Sequence, residues 1–419
     1  MDMKSSPAAA LRIDGARLWQ SLMELAHIGA TAKGGVCRIA LTDLDRQGRD
    51  LFVQWAKEAG CSIRFDAIGN IFARRAGQDE SLPPVMTGSH IDTQPTGGKF
   101  DGNYGVLAGL EVLRTLNAAG VRTRAPIEVA VWTNEEGSRF VPVMMGSGVF
   151  AGAFTLEHAL AQRDAQGVSV GEALTAIGYA GQAGPAPAVG AYFEAHIEQG
   201  PVLENHGRVI GVVTAALGQR WYDVTVQGME AHAGPTPMEL RRDALLAASE
   251  LVMEVNRIAV ERKPHARSTV GMMELFPNSR NVIPGEVFLT SEFRHPDDAV
   301  LNAMDAALRE GVADIAARGR LEIELREISY YPPVPFEAGC VAAVRRAAQE
   351  LGYSHRDIVS GAGHDACWVA LVAPTAMIFT PCVDGISHNE SETITPEWAS
   401  AGANVLLRAA LEKAGVVAA

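Results

Sequence analysis

The chain has 419 residues, room for two or three domains, and its 47% hydrophobic and 20% charged content is that of a soluble globular protein. A formal net charge of −13 with no basic run argues against a nucleic-acid or anionic-membrane partner. No stretch approaches the roughly 18 apolar residues of a membrane span, and the opening MDMKSSPAAALRIDG has no apolar run long enough for a signal peptide.

Leu18, Leu22 and Leu25 recur at helical spacing and predict a first helix over 15–28, followed by a small-residue loop at 31–35. A second helix is expected over 43–60, with Asp43 as N-cap and Gly60 as stop, then a hairpin over 62–73 turning at Gly69-Asn70. Val85 and Met86 read as the end of a short buried strand that opens into a polar stretch, TGSHIDTQPTGGKFDG, at 87–102. An amphipathic helix over 104–120 carries Val106, Leu110, Leu113 and Leu116, and a strand over 127–132 follows. Strand, loop, helix, strand is the rhythm of a largely parallel α/β sheet, whose sites lie at the C-terminal ends of strands. Residues 151–190, rich in Ala, Gly and Gln, read as a surface helical insertion and linker without chemistry, and strands return at 191–197 and 209–214.

A second domain is expected from near Trp221: strand 221–227, helix 239–262, strands 269–276 and 287–294, helix 297–318 and strand 321–329. This β-α-β-β-α-β order predicts an antiparallel sheet with two helices on one face and its other face or an edge left for self-association. Pro332, Pro333 and Pro335 mark the return to the first domain. There, helix 336–352 turns Cys340, Val344 and Leu351 inward, a short helix 366–372 follows SGAGHD, and strand 375–379 and helix 396–414 close the chain. The expected domains are 1–215 with 330–419, and 216–329 inserted between them. The five cysteines, Cys37, Cys61, Cys340, Cys367 and Cys382, show no CxxC spacing, which suits reduced thiols in a cytoplasmic protein.

Four segments carry ligand-type residues just after expected strands. His90 and Asp92, at i and i+2, share one side of an extended backbone. A neutral imidazole ligates a divalent metal, and a neighbouring carboxylate can hold its second N–H. The flexible run 95–98 lets Asp101 fold back toward the same point; a polar strand-capping loop is the alternative for this stretch taken alone. Glu135 and Glu136 precede Gly137, where a solvated turn is the plain reading. EAHIEQGP puts Glu194, His196 and Glu198 on one face of an extended segment, and GISHNESE puts His388 in a Gly/Ser/Asn loop. Together, His90, Asp101, Glu136, His196 and His388 form a mixed N and O set suited to Zn²⁺, Mn²⁺ or Co²⁺. Five ligands exceed the three of one catalytic zinc. A bridging Asp101 resolves the excess, giving each of two divalent metal ions three protein ligands.

The motifs SHIDTQPTGGKFDG, TNEEGSRF, EAHIEQGP, RNVIPGE, FRHPD, SGAGHDA and GISHNESE resemble those of the N-carbamoyl-L-amino-acid hydrolases. That family is grouped with beta-ureidopropionases and allantoate amidohydrolases in the dinuclear metallo-aminoacylase and carboxypeptidase superfamily, and the resemblance spans 34–411. It implies a mostly parallel α/β catalytic domain with an inserted ferredoxin-like lid that makes a homodimer. It also implies one ion on His90, Asp101 and His196 and a second on Asp101, Glu136 and His388. By the same resemblance Asp92 orients His90, Glu135 is the general base, and His232 in MEAHAGPTP stabilises the oxyanion, in cis or from a partner subunit. Asn281 and Arg294 bind the substrate carboxylate with backbone N–H groups of Gly361, Ala362 and Gly363, and Gln199 contacts the ureido group. A planar guanidinium fork suits Arg294 to a carboxylate. Histidine at position 196, where peptidases of the wider superfamily carry a carboxylate, favours carbamoyl hydrolysis. The expected activity is therefore metal-dependent hydrolysis of an N-carbamoyl amino acid to amino acid, ammonia and carbon dioxide. Beta-ureidopropionase, allantoate amidohydrolase, aminoacylase or dipeptidase, and a non-catalytic binding protein are the alternatives.

Overall fold

The computed structural model describes residues 10–182, 184 and 187–417. The signal-peptide reading at 1–9 and part of the expected linker, at 183, 185 and 186, lie outside the described residues. The chain divides into two compact units: one runs to Thr214 and resumes at Phe336, and the other is Ala215–Pro335.

The first unit begins with α1 (Gly15–Ala26), α2 (Asp43–Glu58), β1 (Ser62–Phe65), β2 (Ile71–Arg75), β3 (Val85–His90), α3 (Asn103–Ala118) and β4 (Ile127–Trp132). Three short helices, α4 (Met145–Phe150), α5 (Leu156–Ala161) and α6 (Val170–Ile177), precede β5 (Ala191–Ile197), α7 (Val202–Asn205) and β6 (Ile210–Ala216). The second unit holds β7 (Gly218–Gln227), β8 (Ala231–His232), α8 (Ala244–Val260), β9 (Arg267–Phe276), β10 (Val282–Ile283), β11 (Glu286–His295), α9 (Asp298–Gly319) and β12 (Glu322–Tyr331), followed by β13 (Val334–Pro335). The chain ends with α10 (Ala338–Glu350), β14 (His355–Ser360), α11 (Asp365–Val369), β15 (Thr375–Thr380) and α12 (Pro396–Ala414).

The main sheet runs β1-β2-β4-β3-β5-β15-β6-β13, with β14 also paired to β6. Its centre, β4-β3-β5-β15, is parallel, and β2 and β6 join it antiparallel. Every residue of those four central strands is buried, as a parallel sheet covered on both faces requires. Helix α3 is buried almost all round rather than amphipathic, because α1 and α12 cover the side turned away from the sheet. Its glycines permit this: a Cβ at Gly105 would stand 2.3 Å from the Ala195 carbonyl oxygen. Leu107, Leu110, Leu113 and Leu116 are buried in it, each worth about 1.5–3 kcal/mol.

Three local expectations need correction. Strand β3 continues to His90 instead of ending near Met86, so the histidine stands on the sheet itself. Thr42, not Asp43, caps α2, since its hydroxyl accepts from Asp45 N–H. The helix expected from 239 starts at Ala244, where Asp243 accepts the free N–H groups of Leu245 and Leu246; 238–240 is a 3-10 turn after Pro237. Strand β14 went unread because HRDIVS lacks an alternating apolar pattern.

In the second unit the sheet order is β12-β7-β11-β9, antiparallel throughout. Tyr222, Val224, Val226, Leu289 and Phe293 pack with Leu251, Val255 and Ile258 of α8 and Leu301, Met304 and Leu308 of α9. The intervening β11 residues, Phe288, Thr290, Glu292 and Arg294, turn to the opposite face.

Candidate metal centre

Strand β3 ends at His90, strand β4 delivers Glu135 and Glu136 three and four residues past its end, and β5 carries His196 near its own end. The parallel register therefore gathers these side chains along one edge of the sheet. The loop after β3 brings Asp101 back against them: His196 Nε2 lies 3.2 Å and His90 Nε2 3.7 Å from Asp101 Oδ1. On the other oxygen, His388 Nε2 stands 3.4 Å from Asp101 Oδ2 and 3.4 Å from Glu136 Oε2. Two ligand triads result, His90–Asp101–His196 and Asp101–Glu136–His388, with Asp101 in both. The first is buried; His388 leaves the second open on one side.

The loop geometry depends on two glycines. Gly102 has φ +64°, and a Cβ there would lie 2.4 Å from the His90 ring. A Cβ at Gly98 would lie 2.1 Å from Glu392 Oε1. Glu392, which sequence reasoning missed, is buried and accepts from Phe100 N–H and Asp101 N–H, both at 3.0 Å, and from the Ser387 hydroxyl at 2.8 Å. The Ser387 oxygen also lies 3.0 Å from Asp101 Oδ2, so its one hydroxyl proton is shared between the two carboxylates. The NESE run offered no signal, since its polarity reads as exposed loop and its burial arises from a partner 291 positions away. Gln94, also missed, holds Glu136 by its backbone N–H at 3.1 Å and its side-chain amide at 2.7 Å.

Both buried imidazoles point Nδ1 at main-chain carbonyls, His90 at Asp92 and His196 at Ile197, each 2.9 Å away. That assigns a proton to Nδ1 and turns Nε2 of each ring toward the carboxylate oxygens. Asp92 thus orients His90 through its backbone oxygen; its carboxylate is 3.9 Å from Nδ1 and accepts instead from Glu135 N–H and Glu136 N–H, at 3.3 and 3.2 Å. Burial alone would lower His90, but Glu135, Asp101, Asp92 and Glu136 raise it well above its ordinary value. Burial likewise pushes Asp101 up, and hydrogen bonds from His196, His388 and His90 outweigh it and hold the carboxyl well below the carboxylate range. Burial, with Asp101 beside it, lifts Glu136 to about 7. Imidazole nitrogens and buried carboxylates converging without a Lys or Arg among them fit a divalent cation.

Glu135 stands outside both triads, with Oε2 3.5 Å from His90 Nε2. Burial, reinforced by Asp365, Glu136 and Asp92, raises it well above the usual glutamate range. Gln199, in a left-handed conformation at φ +57°, donates from Nε2 to Asp101 Oδ2 at 2.8 Å, and its Oε1 is buried without a partner. Glu198 is not at the site; it caps α7 by accepting from Val202 N–H and Leu203 N–H. In the glycine turn, Ala362 N–H is already engaged by the Ser360 hydroxyl, so it is not available as expected. A third buried group, Glu194, His196 and His364, adjoins the first triad.

The remaining expected contacts lie in the second unit. His232 and Asn281 meet on the β8–β10 ribbon, where Val282 pairs with His232 and Ala233 N–H donates to the Asn281 carbonyl. Arg294 lies near the other end of β11, its guanidinium 3.0 Å from Glu292.

Residues 86–412 match the model of Peptidase family M20/M25/M40. A solved amidase of the hydantoinase/carbamoylase family from Burkholderia multivorans is 64% identical, with a TM-score of 0.95, covering 97% of this chain and 99% of that one. An N-carbamoyl-L-amino-acid amidohydrolase of Rhizobium meliloti is 50% identical over 99% of this chain and 100% of its own length. An allantoate amidohydrolase of Bacillus subtilis is 35% identical over 91% and 93%.

Proposed function

This chain belongs to Peptidase family M20/M25/M40, and we propose that within it the protein hydrolyses the ureido group of N-carbamoyl-L-amino acids. The observation that carries the reading is a single carboxylate, Asp101, shared by two ligand triads with a non-ligating glutamate beside them. The 50% identity along the whole carbamoylase relative selects the substrate class.

Two divalent ions, Zn²⁺ or Mn²⁺ or Co²⁺, would be held by His90, Asp101 and His196 and by Asp101, Glu136 and His388. When bound they supply Lewis-acid polarisation of the carbamoyl oxygen and a lowered pKa for the attacking water. Glu135 takes a proton from that water as its oxygen attacks the carbamoyl carbon. Glu135 then passes the proton to the substrate's α-nitrogen as the C–N bond breaks. The amino acid leaves, and the carbamic acid falls apart to ammonia and carbon dioxide. Asp92 holds the Glu135–Glu136 backbone in place through its two N–H groups. Gln199 Oε1, the buried unpartnered acceptor, takes an N–H of the ureido group. Arg294 exchanges Glu292 for the substrate carboxylate, helped by main-chain N–H groups of Gly361 and Gly363, while Asn281 binds the carboxylate and His232 donates to the developing oxyanion.

The protein works as a homodimer through 216–329. Eight residues of strand separate Glu286 from Arg294, about 27 Å, with Asn281 and His232 beyond the Glu286 end. One substrate is therefore served by Arg294 of one copy and by the Asn281–His232 ribbon of another. Five free cysteines among the described residues, four of them buried, support a reducing cytoplasmic setting, and no helix among these residues is long and apolar enough to cross a membrane.

The test is ammonia release from a panel of N-carbamoyl-L-amino acids, N-carbamoyl-β-alanine and allantoate, with Zn²⁺, Mn²⁺ and Co²⁺ in turn. Turnover of the N-carbamoyl-L-amino acids supports the reading. Turnover of allantoate alone moves it to the second reading, which the B. subtilis relative favours. Cleavage of acyl or peptide substrates without ammonia overturns it.

A further inference from the structure

The loop that follows Glu136 is closed at its base by main-chain bonds: Met144 N–H donates to the Glu135 carbonyl at 2.7 Å, and Gly146 N–H to the Thr133 carbonyl at 2.8 Å. Its tip is anchored by buried Phe140 and by Arg139, which donates to the Ala40 and Leu41 carbonyls. Between these anchors Val141 and Val143 are left 65% and 42% exposed. Met144 itself has φ +51° and ψ +38°, the left-handed region that a bulky residue enters only where its surroundings impose it.

That conformation aims the Met144 side chain at the glycine turn. A Cβ built on Gly363 would stand 3.0 Å from Met144 Cε and 3.4 Å from Sδ. Its main-chain N–H is thus tied to the Glu135 carbonyl while its thioether reaches the 361–363 turn, and the residue remains partly exposed. In an N-carbamoyl amino acid the side chain branches from the carbon between the carboxylate and the ureido nitrogen. With the carboxylate at the glycine turn and the ureido carbon within reach of Glu135, the substrate side chain falls where Met144 lies.

We propose that Met144 is the wall against which the substrate's amino-acid side chain packs, so that its size decides which N-carbamoyl amino acids are turned over. This rests on the carbamoylase reading above. An unbranched, polarizable thioether adapts to apolar groups of several shapes, and Val141 and Val143 extend the apolar surface along the same loop. The substrate class is accordingly N-carbamoyl amino acids with apolar side chains of varied size.

The experiment compares kcat/KM for N-carbamoyl-L-phenylalanine and N-carbamoyl-L-alanine in wild type, M144G and M144F. Glycine adopts φ +51° without steric cost, so M144G removes the wall while keeping the backbone. The phenylalanine-to-alanine ratio is expected to rise about tenfold in M144G and to fall by a similar factor in M144F. A ratio within about twofold of wild type in M144G, with an unchanged melting temperature, overturns the wall while leaving the activity standing. Should M144F fail to fold, M144G decides alone. Wild type that releases no ammonia from any carbamoyl substrate overturns the activity and the wall together.

Discussion

Glu135 and Asp101 are buried carboxylates in one cluster, and their neighbours push them in opposite directions. Three imidazoles face Asp101, whereas Glu135 faces one imidazole and several acids. Substituting Glu135→Gln is expected to lower kcat about 10²–10⁴-fold while leaving bound metal, measured by elemental analysis, unchanged. A kcat near wild type would remove Glu135 from the proton transfer. Glu392 acts at one remove, by fixing the Phe100 and Asp101 N–H groups. Glu392→Ala should weaken metal affinity by about 10–100-fold, read by competition with a chelating dye. Gly102→Ala meets both a left-handed backbone and the His90 ring, so we expect it to lose metal and melt at lower temperature. The clustering of His90, Asp101, Glu136, His196 and His388 was legible because each lies at or after the C-terminal end of a strand in a short polar motif. Glu392 and Gln94 were not, because what they hold is far away in sequence or is backbone, which no residue pattern records.

Helix α3 shows how an element can be read correctly in place and wrongly in character. Its apolar residues sit at helical spacing, yet Gly105 and Gly109 carry no hydrophobic signal in a residue-pattern reading. Those glycines let the helix sink onto β3 and β5, and α12 then covers it from outside. Because Asp101 and Gly102 immediately precede the first turn, the helix sets where the shared carboxylate stands. Leu110→Ala, at a fully buried position, should cost about 2–5 kcal/mol in urea unfolding. The strands at 127–132 and 191–197 were easier, since aliphatic and aromatic residues dominate both and each is followed within three residues by a charged, glycine-bearing motif, even with Glu128 and Glu194 inside them.

On the scale of the whole chain, the two units have separate cores, and all five expected metal ligands belong to the larger one. Metal removal should therefore destabilise that unit selectively. At a metal concentration of 100 times Kd the linkage is worth about 2.7 kcal/mol. Hydrogen exchange after chelation is expected to speed up in β3, β5 and α3 and to stay unchanged in α8 and α9. Equal acceleration in both units would show that they unfold as one. The β-α-β-β-α-β order of the smaller unit was legible because alternation on its strands is clean, one face buried and one not. The β8–β10 ribbon was missed because two-residue strands have no period to detect.

Four of the five proposed ligands precede the inserted unit and His388, with Glu392, follows it. During synthesis, then, His196 leaves the ribosome about 190 residues ahead of His388, on the order of 10–40 seconds at 5–20 residues per second. Through that interval Asp101 has neither His388 nor Glu392, and the central sheet lacks β15 between β5 and β6. On the two-ion reading proposed above, the nascent chain offers a cation only His90, Asp101 and His196, and Asp101 gains its second set of partners only after the inserted unit has been made. That reading predicts metal loading ordered in time, one triad before the other, by where the insertion interrupts the chain.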